Sequence, residues 1–130
     1  MLIFYAHPKI PVLPLPIVER TAKKILTTEQ LRAAIRIAEQ LEDYPDVPQL
    51  DICRCGEGIR LVFGSAEIRK QGWLRGIFWL DDKHRFIYFV DLFWKSTNKI
   101  AFADVTRANH RIRQLRAELA KGIRPWSRAA

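Results

Sequence analysis

Two segments rich in aromatic and β-branched residues, WLRGIFWL at 73–80 and FIYFVDLFW at 86–94, stand five polar residues apart. Such segments favour a half-buried pleated surface, and five residues is a natural hairpin length, so the chain is expected to be built around an antiparallel hairpin. With a period of two, Trp73, Arg75, Ile77 and Trp79 share one face of the first strand. Ile87, Phe89, Asp91, Phe93 and Lys95 share one face of the second. QLDIC and GIRLVF, around Gly56 and Gly58, read as two further short strands.

Upstream of Gln49 the period is helical. Pro16 suits the first turn of a helix over IVERTAKKIL, with Glu19 near its positive end. Thr27 and Gln30 stand at capping-box spacing and open a second helix. There Leu31, Ala34, Ile35, Ala38 and Leu41 recur at three and four as an apolar stripe, and Glu42, Asp43 and Pro45 end it. The tight link makes the two helices an antiparallel pair. MLIFY at the start reads as a short strand, and the proline-studded stretch to Pro16 as extended chain. A last helix over 103–121 carries a core stripe of Val105, Ala108, Ile112, Leu115 and Leu119. Arg107, Arg111 and Arg113 decorate its remainder, and Gly122 offers a C-cap. The expected fold is α+β: an N-terminal helix pair, an antiparallel meander and a C-terminal helix packed on the sheet. It reads as one domain over 1–130, with an extended segment at 1–16 and a tail at 122–130.

Charge narrows the partner. The net charge is +8, unevenly spread. Residues 1–57 hold seven Lys/Arg against eight Asp/Glu, whereas 58–130 hold fifteen against six, so the excess lies wholly in the second part. Such a field favours a polyanion. Lipid headgroups are the rival, but the cations are not gathered on one amphipathic helix, which favours nucleic acid. Prolines at 8, 11, 14 and 16 interrupt the apolar start, and no unbroken apolar run reaches the ~18 residues a membrane helix needs, so a soluble protein is expected. Cys53 and Cys55 point the same way from one strand, as half a metal site would require. With no second Cys or His pair at ligand spacing, two reduced thiols of a cytoplasmic protein are the simpler account, and no metal is expected.

Familiar catalytic signatures are absent from the sequence: no phosphate-binding Walker loop, no GxGxxG, no HExxH and no GxSxG. His7, His84 and His110 stand singly, the acids form no obvious pair, and Asp81-Asp82 read as a solvated turn. What remains is a series of cations on or beside strands: Arg60, Arg69, Lys70, Arg75, Lys95 and Lys99. Cations so placed are either the wet face of a sheet or an anion-binding face. Arg75 is the most telling, because a guanidinium in an apolar aromatic strand is costly unless it meets water or an anion. Trp73, Trp79, Phe93 and Trp94 are either core or stacking surfaces for unpaired bases.

Over roughly residues 17–120 the chain resembles the HigB-type toxins of the RelE/ParE/HigB superfamily, ribosome-dependent mRNA endonucleases of bacterial toxin–antitoxin pairs. The resemblance rests on LTTEQLRAAIRIAEQLEDYPD, then Gly58-Ile59-Arg60, then Gly72-Trp73-Leu74-Arg75-Gly76-Ile77-Phe78, which match the family's glycine-flanked "lR" and "GxyRvxYy" strands. FIYFVDLFWKSTNKI resembles its "iyLLxxFxKKTxK" strand, with Lys95, Thr97 and Lys99 in the matching places. It implies a cytoplasmic, cofactor-free endoribonuclease that engages ribosome and mRNA and is silenced by a cognate antitoxin. It implies catalytic roles for Arg75 (phosphate clamp), Lys95 (proton transfer or phosphate contact) and Arg69, with Arg60, Lys70, Trp73 and Lys99 as RNA contacts. Two departures stand out. Phe93 and Trp94 occupy places where relatives often carry Tyr or His, and Ser96 replaces the second Lys of Lys-Lys-Thr. They keep open a second expectation, a non-catalytic member of the fold that binds RNA, the ribosome or a protein target.

Overall fold

The computed structural model describes residues 8–97 and 99–125. Along the chain run β1 (Val12–Pro14), α1 (Pro16–Ile25), α2 (Thr28–Glu39), a 3-10 turn (Gln40–Asp43), β2 (Asp51–Cys55), β3 (Gly58–Val62), α3 (Ala66–Arg69), β4 (Trp73–Asp81), β5 (Phe86–Lys95) and α4 (Phe102–Ala120). The architecture is α+β, with the N-terminal helices and α4 packed on a five-stranded sheet of order β1-β5-β4-β3-β2. Strands β2 to β5 form the expected antiparallel meander. The sheet as a whole is mixed, because β1 runs parallel to β5, pairing Val12 with Ile87 and Pro14 with Phe89. That strand falls inside the stretch read as merely extended. Proline donates no backbone hydrogen bond, and an edge strand is where a sheet tolerates it. The strand expected over MLIFY lies outside the described residues, as does most of the 122–130 tail.

The helix signals act as their chemistry requires. Pro16 opens α1. The Thr27 hydroxyl accepts from the Gln30 amide at 3.1 Å, while the Gln30 side chain accepts from the Thr27 amide at 2.9 Å, satisfying two orphan donors at the start of α2. Only Leu26 and Thr27 separate α1 from α2. The stripe of α2 packs largely as expected: Ala34 and Leu41 are buried, Leu31 and Ala38 pack against the core, and Ala33 joins them, whereas Ile35 is 47% exposed. Leu31, Ile35 and Ala38 also line a groove of about 480 Å³ shared with Val18 and Ala22 of α1. Helix α4 ends on Gly122 at φ +78°, whose amide reaches the Leu119 carbonyl.

Two apolar layers cover the sheet. Under α1 and α2 lie Leu61, Phe63, Leu74, Phe78, Ile87, Phe89 and Leu92. Under α4 lie Cys55, Ile77, Tyr88 and Val90, packed with Ala108, Ile112 and Leu115. The register of β4 with β5 slips in the middle, since Ile77 pairs with Asp91 and the next residue, Phe78, pairs with Phe89. Val90 is the extra residue of this bulge. The bulge corrects the simple alternation: Ile87 and Phe89 belong to the layer of α1 and α2, whereas Asp91 turns to α4 and Phe93 packs in the α4 layer.

Among the described residues no helix is long and apolar enough to cross a membrane.

Candidate nucleic-acid interface

Strand register gathers most of the nominated residues. Arg60 on β3 pairs with Ile77, Arg75 on β4 pairs with Val62 and Phe93, and Trp73 pairs with Lys95. Directly paired residues point to the same side, so Arg60, Trp73, Arg75 and Lys95 share the face that α4 covers only in part. The connection from β5 to α4 adds Lys99, and α3 adds Arg69, whose guanidinium lies 3.4 Å from the centroid of the Trp73 ring. Lys70 falls elsewhere. It borders a polar pocket with Thr27, Glu29, Gln30, Glu67 and Gln71.

The members of this face are engaged to very different degrees. Arg75 is 1% exposed, with one terminal nitrogen donating to the Lys99 carbonyl and the other to the Thr97 carbonyl, both at 2.9 Å. Burial lowers its pKa, and the neighbouring Arg60 lowers it further, against the opposing pull of Asp104. The guanidinium thus ties the connection between β5 and α4 to the sheet, and its placement in an apolar strand is satisfied by backbone carbonyls. The Arg60 side chain, 11% exposed, lies 3.6 Å from Asp51. Lys95 is held by Asp104 at 2.8 Å. Arg69 and Lys99 are open to solvent.

Behind the face lies a charged network between β5 and α4 that the one-dimensional pattern does not reveal. Asp91, 4% exposed, accepts from the Arg107 Nε at 2.7 Å and from Arg111 at 2.8 Å. Asp104 accepts from Arg107 at 3.0 Å and meets Lys95. Burial pushes the Asp104 carboxyl up, but hydrogen bonds from Lys95 and Arg107 outweigh it and hold the group below its usual range. Burial likewise acts against the Arg107 charge, and Asp91 and Asp104 more than restore it. Arg107 and Arg111 lie outside the core stripe as expected but are engaged by Asp91 and Asp104, whereas Arg113, paired with Glu57, lies outward. The signal available in the sequence was the spacing of Asp104, Arg107 and Arg111, which at three and four residues share one side of a helix.

The other aromatic rings are spoken for. Trp94 donates its indole N–H to the Ile25 carbonyl at 3.1 Å, Trp79 stacks on Tyr88, and Phe93 lies beneath Arg107. Of the four rings considered for base stacking, Trp73 carries an exposed cation on its face. Asp81 is also more than a solvated turn residue: it is 5% exposed, accepts from the His84 amide at 3.3 Å and lies 2.8 Å from the His84 Nδ1. Burial raises the pKa of the Cys55 thiol, with Cys53 adding to it, which makes Cys55 a poor nucleophile. Among the described residues no three His, Cys, Asp or Glu side chains are grouped to hold a metal ion.

No protein-family model and no curated protein matches this chain.

Proposed function

We propose that this protein is a ribosome-dependent endoribonuclease of the RelE/HigB toxin kind, silenced by a cognate antitoxin. The observation that carries the proposal is the gathering of Arg60, Arg75 and Lys95 on one face of a sheet, flanked by the Arg69–Trp73 pair and by the connection that carries Lys99. The helix pair, antiparallel meander and C-terminal helix also follow the order read from the residue pattern. A phosphodiester placed on this face meets cations that stabilise the charge developing on its oxygens. The 2′-hydroxyl attacks the adjacent phosphorus and loses its proton, and the 5′-oxygen leaves and gains one. The products are a 2′,3′-cyclic phosphate and a 5′-hydroxyl. Phe93 and Trp94 cannot move these protons, so a lysine ammonium supplies the one that the 5′-oxygen gains, with Lys95 and Lys99 the candidates, and water takes the one that the 2′-hydroxyl loses. Lys95 takes part only when a phosphate competes with Asp104 for its ammonium. Arg75 serves the site by holding the backbone at Thr97 and Lys99 in place, not as a surface clamp.

A second reading, a toxin-fold protein that binds RNA or the ribosome without cutting, is favoured by those same internal engagements of Arg75 and Lys95. Induced expression without an antitoxin tests both. Growth arrest accompanied by mRNA fragments bearing 2′,3′-cyclic phosphates supports cleavage. Arrest with intact mRNA supports the binding protein, and normal growth with abundant folded protein contradicts both.

A further inference from the structure

We infer that the Arg69–Trp73 pair is a base-reading element that selects an unpaired guanine beside the bound phosphate; this rests on the RNA-directed function proposed above. The Arg69 Cζ lies 3.4 Å from the indole centroid, a stacking distance well inside the ~6 Å reach of a cation–π contact. The contact commits one face of the guanidinium and fixes its plane. Its in-plane N–H groups are another matter. Arg60, Arg75, Arg107, Arg111 and Arg113 each meet a carboxylate or carbonyl. Arg69 is exposed, and among the described residues nothing takes up its donors. A rigid planar fork with donors unspent matches a ligand offering two adjacent acceptors in one plane.

Two parts of an RNA offer that, a phosphate and the O6/N7 edge of guanine. Position favours the base. Trp73 is the cross-strand partner of Lys95, whose ammonium anchors a phosphate beyond Trp73 once that phosphate displaces Asp104. A nucleotide anchored there by its phosphate turns its base edge toward Arg69. The outer face of the guanidinium stays open for a neighbouring base to stack. Adenine presents a donor where guanine has O6, so the fork discriminates between them.

Fluorescence anisotropy with the full chain tests this, using short labelled oligouridines that carry one guanine, adenine, hypoxanthine or 7-deazaguanine. Wild type is expected to bind the guanine and hypoxanthine oligomers about tenfold more tightly than the adenine or 7-deazaguanine ones. Arg69→Lys, which keeps the charge but loses the fork, is expected to bring all four within about twofold of one another. Its affinity for the adenine oligomer should hardly change. Equal binding of the four oligomers by wild type, or an unchanged preference in folded Arg69→Lys, overturns the inference but leaves the RNA-directed function standing. A uniform loss in Arg69→Ala, without wild-type preference, assigns Arg69 to phosphate. Failure of the folded wild type to bind any oligomer overturns the inference together with RNA binding itself.

Discussion

The buried guanidinium of Arg75 donates to the backbone carbonyl of Lys99 at 2.9 Å, joining the middle of the sheet to the connection that leads into α4. The same side chain reaches the Thr97 carbonyl at the same distance. Arg75→Ala leaves two carbonyls without their charged donor and opens a cavity at a site 1% exposed. It is expected to destabilise the fold by about 3 kcal/mol. Arg75→Lys, with one donor group in place of a fork, should fall between the two. Urea denaturation followed by tryptophan fluorescence reads both values.

Asp91 is the acceptor on which the contact between β5 and α4 turns, since Arg107 and Arg111 both close on it. Asp91→Asn keeps the shape but removes the charge from beneath two partly buried guanidinium groups. The cost should be about 3–5 kcal/mol, as when one partner of a buried pair is removed. Adding Arg111→Gln to that variant should recover part of the loss, a non-additivity that a double-mutant cycle measures.

Asp104 gives the stability its acid dependence in this region. Its folded-state pKa lies below the ordinary value of 3.8 because hydrogen bonds from Lys95 and Arg107 outweigh burial. A depressed carboxylate contributes stability that is complete above the unfolded-state pKa and is lost as pH falls through the lower folded-state one. Below about pH 4, wild type should therefore lose stability more steeply than Asp104→Asn. Denaturation midpoints collected from pH 6 downward decide it, and parallel curves would contradict the assignment.

Gly76 lies on β4 where an added Cβ would stand 2.7 Å from the Phe89 ring and 3.0 Å from the Phe63 ring. Gly76→Ala forces two buried rings apart and should cost about 1–3 kcal/mol in the same denaturation assay. Gly64→Ala, which meets nothing within 4 Å, serves as the control.

Where periodicity was uninterrupted, the fold could be read from the sequence. The capping box at Thr27 and Gln30, the hairpin between β4 and β5 and the glycine end of α4 are each set by a few neighbouring residues, and local chemistry placed them correctly. Features decided by tertiary contact could not be read so. The bulge at Val90 depends on register against β4, and it moved Ile87 and Phe89 to the opposite layer from Asp91. The four-residue α3 is too short to leave a periodic trace, although Ser65 caps it at Ile68. Period-two spacing put Trp73 and Arg75 on one face of β4, whereas Lys70, named with them, borders a different pocket. The roles of the cations were not legible, since burial and partners separate Arg75, locked to carbonyls, from Arg69 and Lys99, open to solvent.

The most direct measurement is primer extension on a defined mRNA in a translating extract, comparing wild type with the solvent-exposed variant Arg69→Ala/Lys99→Ala. The predicted result is a set of discrete cuts that require ribosomes, carry 2′,3′-cyclic phosphate ends and fall at least tenfold in the folded variant. Intact mRNA in the presence of folded wild-type protein, or cuts that persist undiminished in the variant, would contradict the account.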